Sequence, residues 1–167
     1  MNKELYNSLP EGGLYWSEAK LLWDWASKTS GKILEVGSAY GKSAVLLGTL
    51  AKQQSRNLIC VDPWFGDHGE KLYRIFLKNI KDLPITAERK RIEDWDPQPV
   101  GFAYLDGDHS YEGTQAQIRK ALACNPSVIA IHDFGEDHEQ LIVAVATVIL
   151  LGRPIARAER MAIYQLQ

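Results

Sequence analysis

The stretch that decides the fold, residues 33–43, reads ILEVGSAYGKS. An apolar run over residues 32–36 predicts a buried strand of the parallel type. Glycines at 37 and 41 follow it, and the next residues predict a helix over 41–53. A strand, a glycine turn and a helix N-terminus together let a ligand approach main-chain N–H groups. This stretch therefore predicts the ligand-binding first unit of an α/β fold.

The rest of the chain repeats this alternation of apolar runs and helical patterns, which is typical of an α/β fold with a mostly parallel sheet. Ser17 is predicted to cap a helix that precedes the first strand. Helices are predicted at residues 17–28, 67–80, 111–124 and 136–151. Further strands are predicted at residues 57–61, 84–88, 100–105 and 127–131, with a closing antiparallel hairpin at 154–158 and 161–166.

Composition bounds the class of protein. The chain has 167 residues, 46% of them hydrophobic, and a formal net charge of −2, so we expect one globular domain without a basic nucleic-acid-binding face. Two distant cysteines fit a reducing compartment. The longest apolar run, residues 141–151, is too short for a bilayer, which needs about 20 residues. We therefore predict a cytoplasmic protein with no membrane partner.

Four acids end four of the predicted strands: Glu35, Asp62, Asp106 and Asp133. In open α/β sheets, ligands bind just outside the carboxyl ends of the strands. One such acid could simply cap the turn that follows it. Four of them at the same edge of one sheet indicate a binding site instead.

The glycine loop is compatible with three cofactors. The spacing Gly37-x-x-x-Gly41 lacks the G-x-G-x-x-G of a dinucleotide site. The residues Gly41-Lys42-Ser43 match half of a phosphate-binding P-loop, so a nucleotide enzyme stays a rival interpretation. Glu35, however, would repel phosphates. S-adenosylmethionine carries no phosphate. Glu35 could attract its amine, Ser43 could donate to its carboxylate, and Asp62 could accept hydrogen bonds from its ribose hydroxyls.

Three motifs resemble one protein family. The sequence of residues 33–43 resembles the first motif of class I methyltransferases, in the variant of catechol-type and macrocin-type O-methyltransferases. The segment FAYLDGDHSYEG, residues 102–113, resembles the signature of a bacterial branch called methyltransferase family 24. The turn VDPWFGD, residues 61–67, and the ending IHDF, residues 131–134, resemble the same branch. The resemblance runs from about residue 11 to the C-terminus.

This resemblance implies a Rossmann-like fold, with a mostly parallel seven-stranded sheet, helices on both faces and a C-terminal antiparallel hairpin. It implies an S-adenosylmethionine-dependent methyltransferase that acts on a small-molecule hydroxyl of a sugar or secondary metabolite. Trp64 is expected to stack on the adenine, and the segment after the third strand is expected at the adenine edge. The implied cofactor-binding residues are Glu35, Gly37, Ser38, Tyr40, Gly41, Ser43, Asp62, Trp64, Ile92, Glu93 and Asp106.

A second cluster is predicted at the ends of the fourth and fifth strands. Its catalytic candidates are Asp106, His109, His132 and Asp133. The resemblance implies magnesium bound by Asp106, His132 and Asp133, although magnesium prefers oxygen to the imidazole of His132. The alternative is a hydrogen-bonded His–Asp network without metal, in which His109 or His132 is the general base.

Residues 1–30 are predicted to form an N-terminal helical and lid segment, and residues 31–167 the S-adenosylmethionine-binding part of the same domain. A homodimer is predicted through the apolar helix 141–151 or the first helix. A protein that retains this fold but only binds S-adenosylmethionine or S-adenosylhomocysteine, without turnover, is the rival from a different functional class.

Overall fold

The computed structural model describes residues 1–166. A single sheet has the strand order β3-β2-β1-β4-β5-β7-β6, with β1 to β5 parallel and β7 antiparallel to its neighbours. This confirms the predicted α/β fold and its closing hairpin. The strands are β1 (Ile33–Val36), β2 (Leu58–Val61), β3 (Ile85–Glu88), β4 (Phe102–Leu105), β5 (Val128–Ile131), β6 (Ala156–Ala158) and β7 (Met161–Gln165).

Helices cover both faces of this sheet. The helices are α1 (Lys3–Asn7), α2 (Trp16–Ala26), α3 (Lys42–Gln53), α4 (Gly66–Ile80), α5 (Tyr111–Ala123) and α6 (His138–Leu151), with a short 3₁₀ turn at Ile92–Asp94. Successive residues of a strand point to opposite faces. Ile33 of β1 therefore packs in one core with α2, α3 and α4, while Leu34 packs in the other with α5 and α6.

The strand register aligns the carboxyl ends that carry the predicted site. Val36 of β1 is opposite Val61 of β2 and Leu105 of β4, and Leu105 is opposite Ile131 of β5. Each of these four residues is the last of its strand. The residues that follow them, including Asp62 and Asp106, therefore emerge at one level of one edge.

The N-terminal segment differs from its prediction. Helix α1 is an additional element, and α2 begins at Trp16 after the N-cap Tyr15, so Ser17 is not the cap. The physical reason is that Glu18 reaches back and accepts the N–H of Tyr15 at 2.8 Å, which satisfies one free donor of the first turn. Leu22 and other apolar residues of α2 are fully buried in the core shared with α3 and α4. Among the helices of residues 1–166, none combines the length and the apolar character needed to cross a membrane.

Candidate active site

A cavity of about 480 Å³ opens at the carboxyl ends of β1, β2 and β4. The loop after β1 forms one wall, and the 3₁₀ turn after β3 contributes another part. Eight residues predicted from the sequence line this cavity: Gly37, Ser38, Tyr40, Ser43, Asp62, Ile92, Glu93 and Asp106. The structure therefore brings most of the predicted cofactor residues to one place.

Gly37 fixes the path of the loop. Its φ of +82° lies in the left-handed region, and its N–H donates to the carbonyl of Val61 at 3.0 Å. A Cβ at this position would overlap the carbonyl of Asp106 and lie 2.7 Å from the Cα of Gly107. Glycine is therefore required both by the backbone conformation and by the close approach of the segment after β4.

Asp62 holds the loop from the neighbouring strand. One carboxylate oxygen accepts the N–H of Ser38 at 2.9 Å and of Ala39 at 3.1 Å, and the other accepts the N–H of Trp64 at 2.8 Å. The sequence predicts a ribose-binding role for Asp62, with capping of the following turn as the alternative. The bond from Trp64 N–H is such a cap, whereas the bonds from Ser38 and Ala39 were not predicted. Since each carboxylate oxygen has two lone pairs, Asp62 can shape the loop and still accept a hydrogen bond from a ligand in the cavity that it lines.

Glu35 lies beneath the loop and does not line the cavity. Its Oε2 accepts the hydroxyl of Ser38 at 2.7 Å and the thiol of Cys60 at 3.1 Å, whereas Oε1 has no partner within residues 1–166. Burial raises the pKa of Glu35 to about 7, and nearby hydroxyls offset only part of this effect. Glu35 therefore contacts the loop and not the cavity itself.

Glu35 should make the stability of the protein depend on pH. Its folded pKa is raised above the value near 4.5, so the folded state holds the proton more tightly. Stability from this group is therefore lost as pH rises from about 4.5 through about 7, by roughly 3 kcal/mol. Wild type should therefore have a lower free energy of unfolding in urea at pH 8 than at pH 5. We expect Glu35→Gln to remove the part of this decrease that comes from Glu35. Glu112→Gln, at an exposed position of α5, is the control, and identical pH profiles for Glu35→Gln and wild type would contradict the assignment.

Trp64 does not reach the cavity, contrary to the prediction. Its backbone has a φ of +41°, which turns the indole inward, and only 2% of the residue is exposed. The ring packs against Tyr73 and Phe76, both at 4.8 Å between centroids, and its Nε1–H donates to the carbonyl of Ala39 at 3.1 Å. Phe65, which is 61% exposed, and Tyr40, which is 38% exposed, are the exposed aromatic residues that line the cavity.

Gly41 is the N-cap of α3 and is not part of the cavity wall. Its neighbour Lys42, the residue that suggested a P-loop, lines the cavity but donates to the carbonyl of Gly12 at 3.1 Å and lies 5.0 Å above the ring of Tyr6. The ammonium group is therefore engaged with the N-terminal segment.

That segment, residues 11–14, lines the cavity, and we call it the strap. Three consecutive carbonyls of the strap are held by three side chains from different parts of the chain. The carbonyl of Gly12 accepts from Lys42, as described above. The carbonyl of Gly13 accepts from Arg160 at 3.1 Å, and the carbonyl of Leu14 accepts from the Tyr6 hydroxyl at 3.0 Å. The strap lies within the N-terminal segment for which the sequence predicts a lid.

The second predicted cluster is also brought together, beside the cavity wall at Asp106. His132 Nδ1 lies 3.2 Å from Asp106 Oδ1 and 3.3 Å from Asp133 Oδ2. His109 Nε2 lies 3.3 Å from Asp133 Oδ2 and 3.6 Å from Asp106 Oδ1, the same two oxygens that face His132. His109 and His132 line a small recess next to Asp106 and not the large cavity.

Three further residues complete the cluster, and the sequence analysis missed all of them. Glu18 of α2, fully buried, lies 3.2 Å from His132 Nε2. Arg160, at the turn before β7, pairs with Asp133 Oδ1 at 2.8 Å and donates its main-chain N–H to Glu18 at 3.0 Å. Tyr104 of β4 donates its hydroxyl to Asp106 Oδ2 at 3.0 Å.

These contacts set the charges of the cluster. Burial lowers the pKa of His132, but hydrogen bonds to Asp106, Asp133 and Glu18 outweigh it and raise the value to about 12. Burial raises the pKa of Asp106, but the nearby His109 and the hydrogen bond with His132 lower it to about 2. His132 is thus a buried cation, only 4% exposed, so its predicted role as general base does not fit. The pKa of His109 is raised, chiefly by Asp106, and its side chain is 35% exposed.

The magnesium implied by the resemblance does not fit this donor set. Magnesium prefers oxygen ligands in near-octahedral geometry, yet the two aspartate oxygens at the centre of the cluster, Asp106 Oδ1 and Asp133 Oδ2, each face two histidine nitrogens, one of His132 and one of His109. Both ring nitrogens of His132 face carboxylates, so neither offers a lone pair to a metal. Asp106, His109 and Asp133 do place one possible ligand atom each within 4.8 Å of one another, but one of these three atoms is an imidazole nitrogen, which magnesium disfavours.

The sheet, the glycine loop after β1 and the acids that follow β2 and β4 are features of the class I methyltransferase fold. A family model described as a methyltransferase domain, that of methyltransferase family 24, matches residues 34–134, more than half of the chain. The chain belongs to this family, as the resemblance predicted. It is therefore a methyltransferase, and the P-loop nucleotide enzyme is the wrong interpretation. A search of curated protein sequences finds no match.

Solved structures share the fold at low sequence identity. CalS11, a TDP-rhamnose 3′-O-methyltransferase of calicheamicin biosynthesis, is 14% identical with a TM-score of 0.68 over 98% of this chain and 90% of its own. The O-methyltransferase TomG from Streptomyces achromogenes, solved with S-adenosylmethionine, is 13% identical with a TM-score of 0.67 over 96% and 85%. An O-methyltransferase from Bacillus cereus, solved with S-adenosylhomocysteine, is 15% identical with a TM-score of 0.64 over 96% and 86%.

Proposed function

We propose that this methyltransferase binds S-adenosylmethionine in the large cavity and methylates a hydroxyl of a small molecule. The observation that carries the proposal is the shared wall at Asp106. This residue lines the cavity beside the glycine loop and also belongs to the acid–histidine cluster. A cofactor in the cavity and a proton-accepting group in the cluster are therefore adjacent.

The cavity matches the chemistry of the cofactor. The hydroxyl of Ser43, which lines the cavity, offers a donor for the cofactor's carboxylate. Asp62 Oδ1, which accepts only the N–H of Trp64, keeps a lone pair for a ribose hydroxyl. The 3₁₀ turn with Ile92 and Glu93 lines the part of the cavity assigned to the adenine, and Phe65 takes the stacking role first expected of Trp64. S-adenosylmethionine supplies the activated methyl group, and S-adenosylhomocysteine is its product.

His109 is the residue placed to remove the proton from the acceptor hydroxyl. It is the more exposed of the two histidines in the cluster. Asp106 and Asp133 face its Nε2 and stabilise the imidazolium that forms when the proton arrives. A positioned base of this kind contributes about 10²- to 10⁴-fold to rate.

Two observations support a proposal for the class of acceptor: the description of one structural neighbour and the size of the site. CalS11 is described as acting on a TDP-rhamnose, and a sugar or secondary-metabolite hydroxyl is the corresponding proposal for this chain. The strap and the exposed Phe65 border the cavity, so a small planar or cyclic molecule fits better than a macromolecule. A cytoplasmic location and the absence of a nucleic-acid partner stay predictions.

Calorimetry tests the cofactor part of this proposal. We expect S-adenosylmethionine and S-adenosylhomocysteine to bind with micromolar affinity, and ATP not to bind at the same concentrations. Binding of ATP without the other two would contradict the proposal.

The catalytic part is separated from the rival, a protein that binds without turnover, by His109→Ala. We expect this variant to keep its affinity for S-adenosylhomocysteine and to lose about 10²- to 10⁴-fold in transfer to hydroxyl acceptors from a screen. The exposed His68→Ala variant should match wild type in both measurements. Equal transfer by His109→Ala and wild type would remove His109 from the mechanism.

A homodimer through α6 is part of the proposal. The outer side of this helix exposes Leu141 (50%), Val145 (46%), Val148 (41%) and Ile149 (62%), which are spaced as one face. We expect sedimentation equilibrium to give a dimer for wild type and a monomer for Ile149→Glu. A monomeric wild type would contradict this interface.

A further inference from the structure

His132 is surrounded by three carboxylates that come from three different elements. Its Nδ1 faces Asp106, after β4, and Asp133, after β5, at 3.2 and 3.3 Å, while its Nε2 faces Glu18 of α2 at 3.2 Å. Carboxylates accept and do not donate. An imidazole that contacts carboxylates through both nitrogens therefore donates from both, and carries a positive charge.

The six oxygens of these carboxylates are all engaged. Glu18 Oε1 accepts from Arg160 and Oε2 from Tyr15. Asp106 Oδ2 accepts from Tyr104, and Asp133 Oδ1 accepts from Arg160. The remaining oxygen of each aspartate faces His132. The cluster is thus a closed network in which His132 and Arg160 supply positive charge against three acids.

We propose that in this chain the side chain of His132 takes the place of the divalent cation, so that the acid cluster binds no metal and positions His109 without one. This inference rests on the proposed methyl transfer only for its consequence in catalysis. The replacement itself concerns the cluster and is measurable on its own.

Charge supports the replacement. The atoms best placed to hold an ion are Asp106 Oδ1, His109 Nε2 and Asp133 Oδ2. Both of these oxygens already face His132 Nδ1, so a divalent ion bound to them would lie beside a second cation. Like charges in a buried site repel strongly because the dielectric is low. Arg160, paired with the other oxygen of Asp133 at 2.8 Å, adds to this repulsion.

His132 is accordingly a positioning residue. It touches the two aspartates that face His109, and its 4% exposure leaves it no contact with the cavity. Its hydrogen bonds fix the carboxylates of Asp106 and Asp133, and these in turn orient the ring of His109. A bound metal would do the same work by coordination.

The substitution His132→Asp tests the proposal by a gain of function. It exchanges the internal cation for oxygen ligands, so we expect the variant to bind Mn²⁺, followed by electron paramagnetic resonance, at least roughly tenfold more tightly than wild type. Mg²⁺ should displace the Mn²⁺. His138→Asp, at an exposed position, should bind no more Mn²⁺ than wild type does. Wild type that binds one Mn²⁺ tightly, or a folded His132→Asp variant that gains no affinity, would overturn the proposal.

A measurement on wild type decides the question if His132→Asp does not fold. Two-dimensional ¹H–¹⁵N spectra of the histidine rings at neutral pH should show both nitrogens of His132 protonated. One unprotonated ring nitrogen would overturn the proposal. Calorimetry with S-adenosylhomocysteine on the same samples reports cofactor binding separately, so failure of the proposed function is distinguishable from failure of this inference.

Discussion

Gly37→Ala should abolish detectable binding of S-adenosylhomocysteine and lower the free energy of unfolding by about 3 kcal/mol or more. Two costs combine at this position. The left-handed φ of +82° alone costs an L-residue about 1–2 kcal/mol. The new Cβ would also overlap the carbonyl of Asp106. That carbonyl cannot retreat, because Asp106 N–H is bonded to Val36 at 2.8 Å in the central strand pair.

A second glycine provides the matched control. Gly66 has a similar φ of +65°, but a Cβ there would meet no atom within 4 Å. Gly66→Ala should therefore show the conformational cost alone, about 1 kcal/mol, with cofactor affinity close to wild type. Urea unfolding and calorimetry on both variants provide the comparison. Equal losses for the two variants would mean that the close approach of Asp106 to the loop is not what the structure indicates.

Glu18→Ala should destabilise the protein by about 3–5 kcal/mol, the range for breaking one side of a buried ion pair. Glu18 is fully buried and accepts hydrogen bonds from Tyr15 and Arg160 besides its pairing with His132. Its removal leaves the imidazolium with one carboxylate fewer and leaves two part-buried main-chain N–H donors, those of Tyr15 and Arg160, without an acceptor. Glu18→Gln should cost less, because the amide oxygen still accepts a hydrogen bond.

Glu159→Ala is the control for this prediction, since Glu159 is exposed and makes only a 3.4 Å contact with Ser17. We expect a change within about 0.5 kcal/mol there. Chemical denaturation followed by tryptophan fluorescence measures both variants. A Glu18→Ala variant as stable as Glu159→Ala would show that the cluster is not held together by α2.

The sequence predicts the sheet and its binding edge well, because both depend on local patterns. Buried parallel strands are short continuous apolar runs, as β1, β2, β4 and β5 are, and each of the seven strands overlaps the range predicted for it. The acids Asp62 and Asp106 directly follow their strands, so the strand register alone brings them together. The position of the cavity can therefore be predicted from local patterns and the order of the strands.

The completed cluster required contacts that no local pattern contains. Glu18 and His132 are 114 positions apart, and Arg160 reaches the strap across 147 positions. From local sequence Glu18 is only an acid in the first turn of a helix, and nothing in that position indicates its contact with His132. Tyr104 lies inside an apolar strand, and the sequence does not predict that its hydroxyl donates a hydrogen bond to Asp106.

Trp64 shows a different limit. An aromatic after an acid at a strand end predicts a residue that faces the ligand. Its positive φ reverses that direction and buries the ring against α4, so that the next residue, Phe65, lines the cavity instead. A left-handed conformation at a non-glycine residue is uncommon and is not visible in residue type.

The strap shares one anchor with the acid cluster, since Arg160 donates to Gly13 with one guanidinium nitrogen and to Asp133 with the other. Asp133 in turn faces His109. Entry of a ligand that pulls Gly13 from Arg160 therefore changes how firmly that guanidinium holds Asp133, and with it the proton affinity of His109. Thermodynamic reciprocity requires the converse: the protonation state of His109 sets how readily the strap opens. In the proposed mechanism, binding of a ligand in the cavity and protonation of His109 are therefore thermodynamically linked through Arg160.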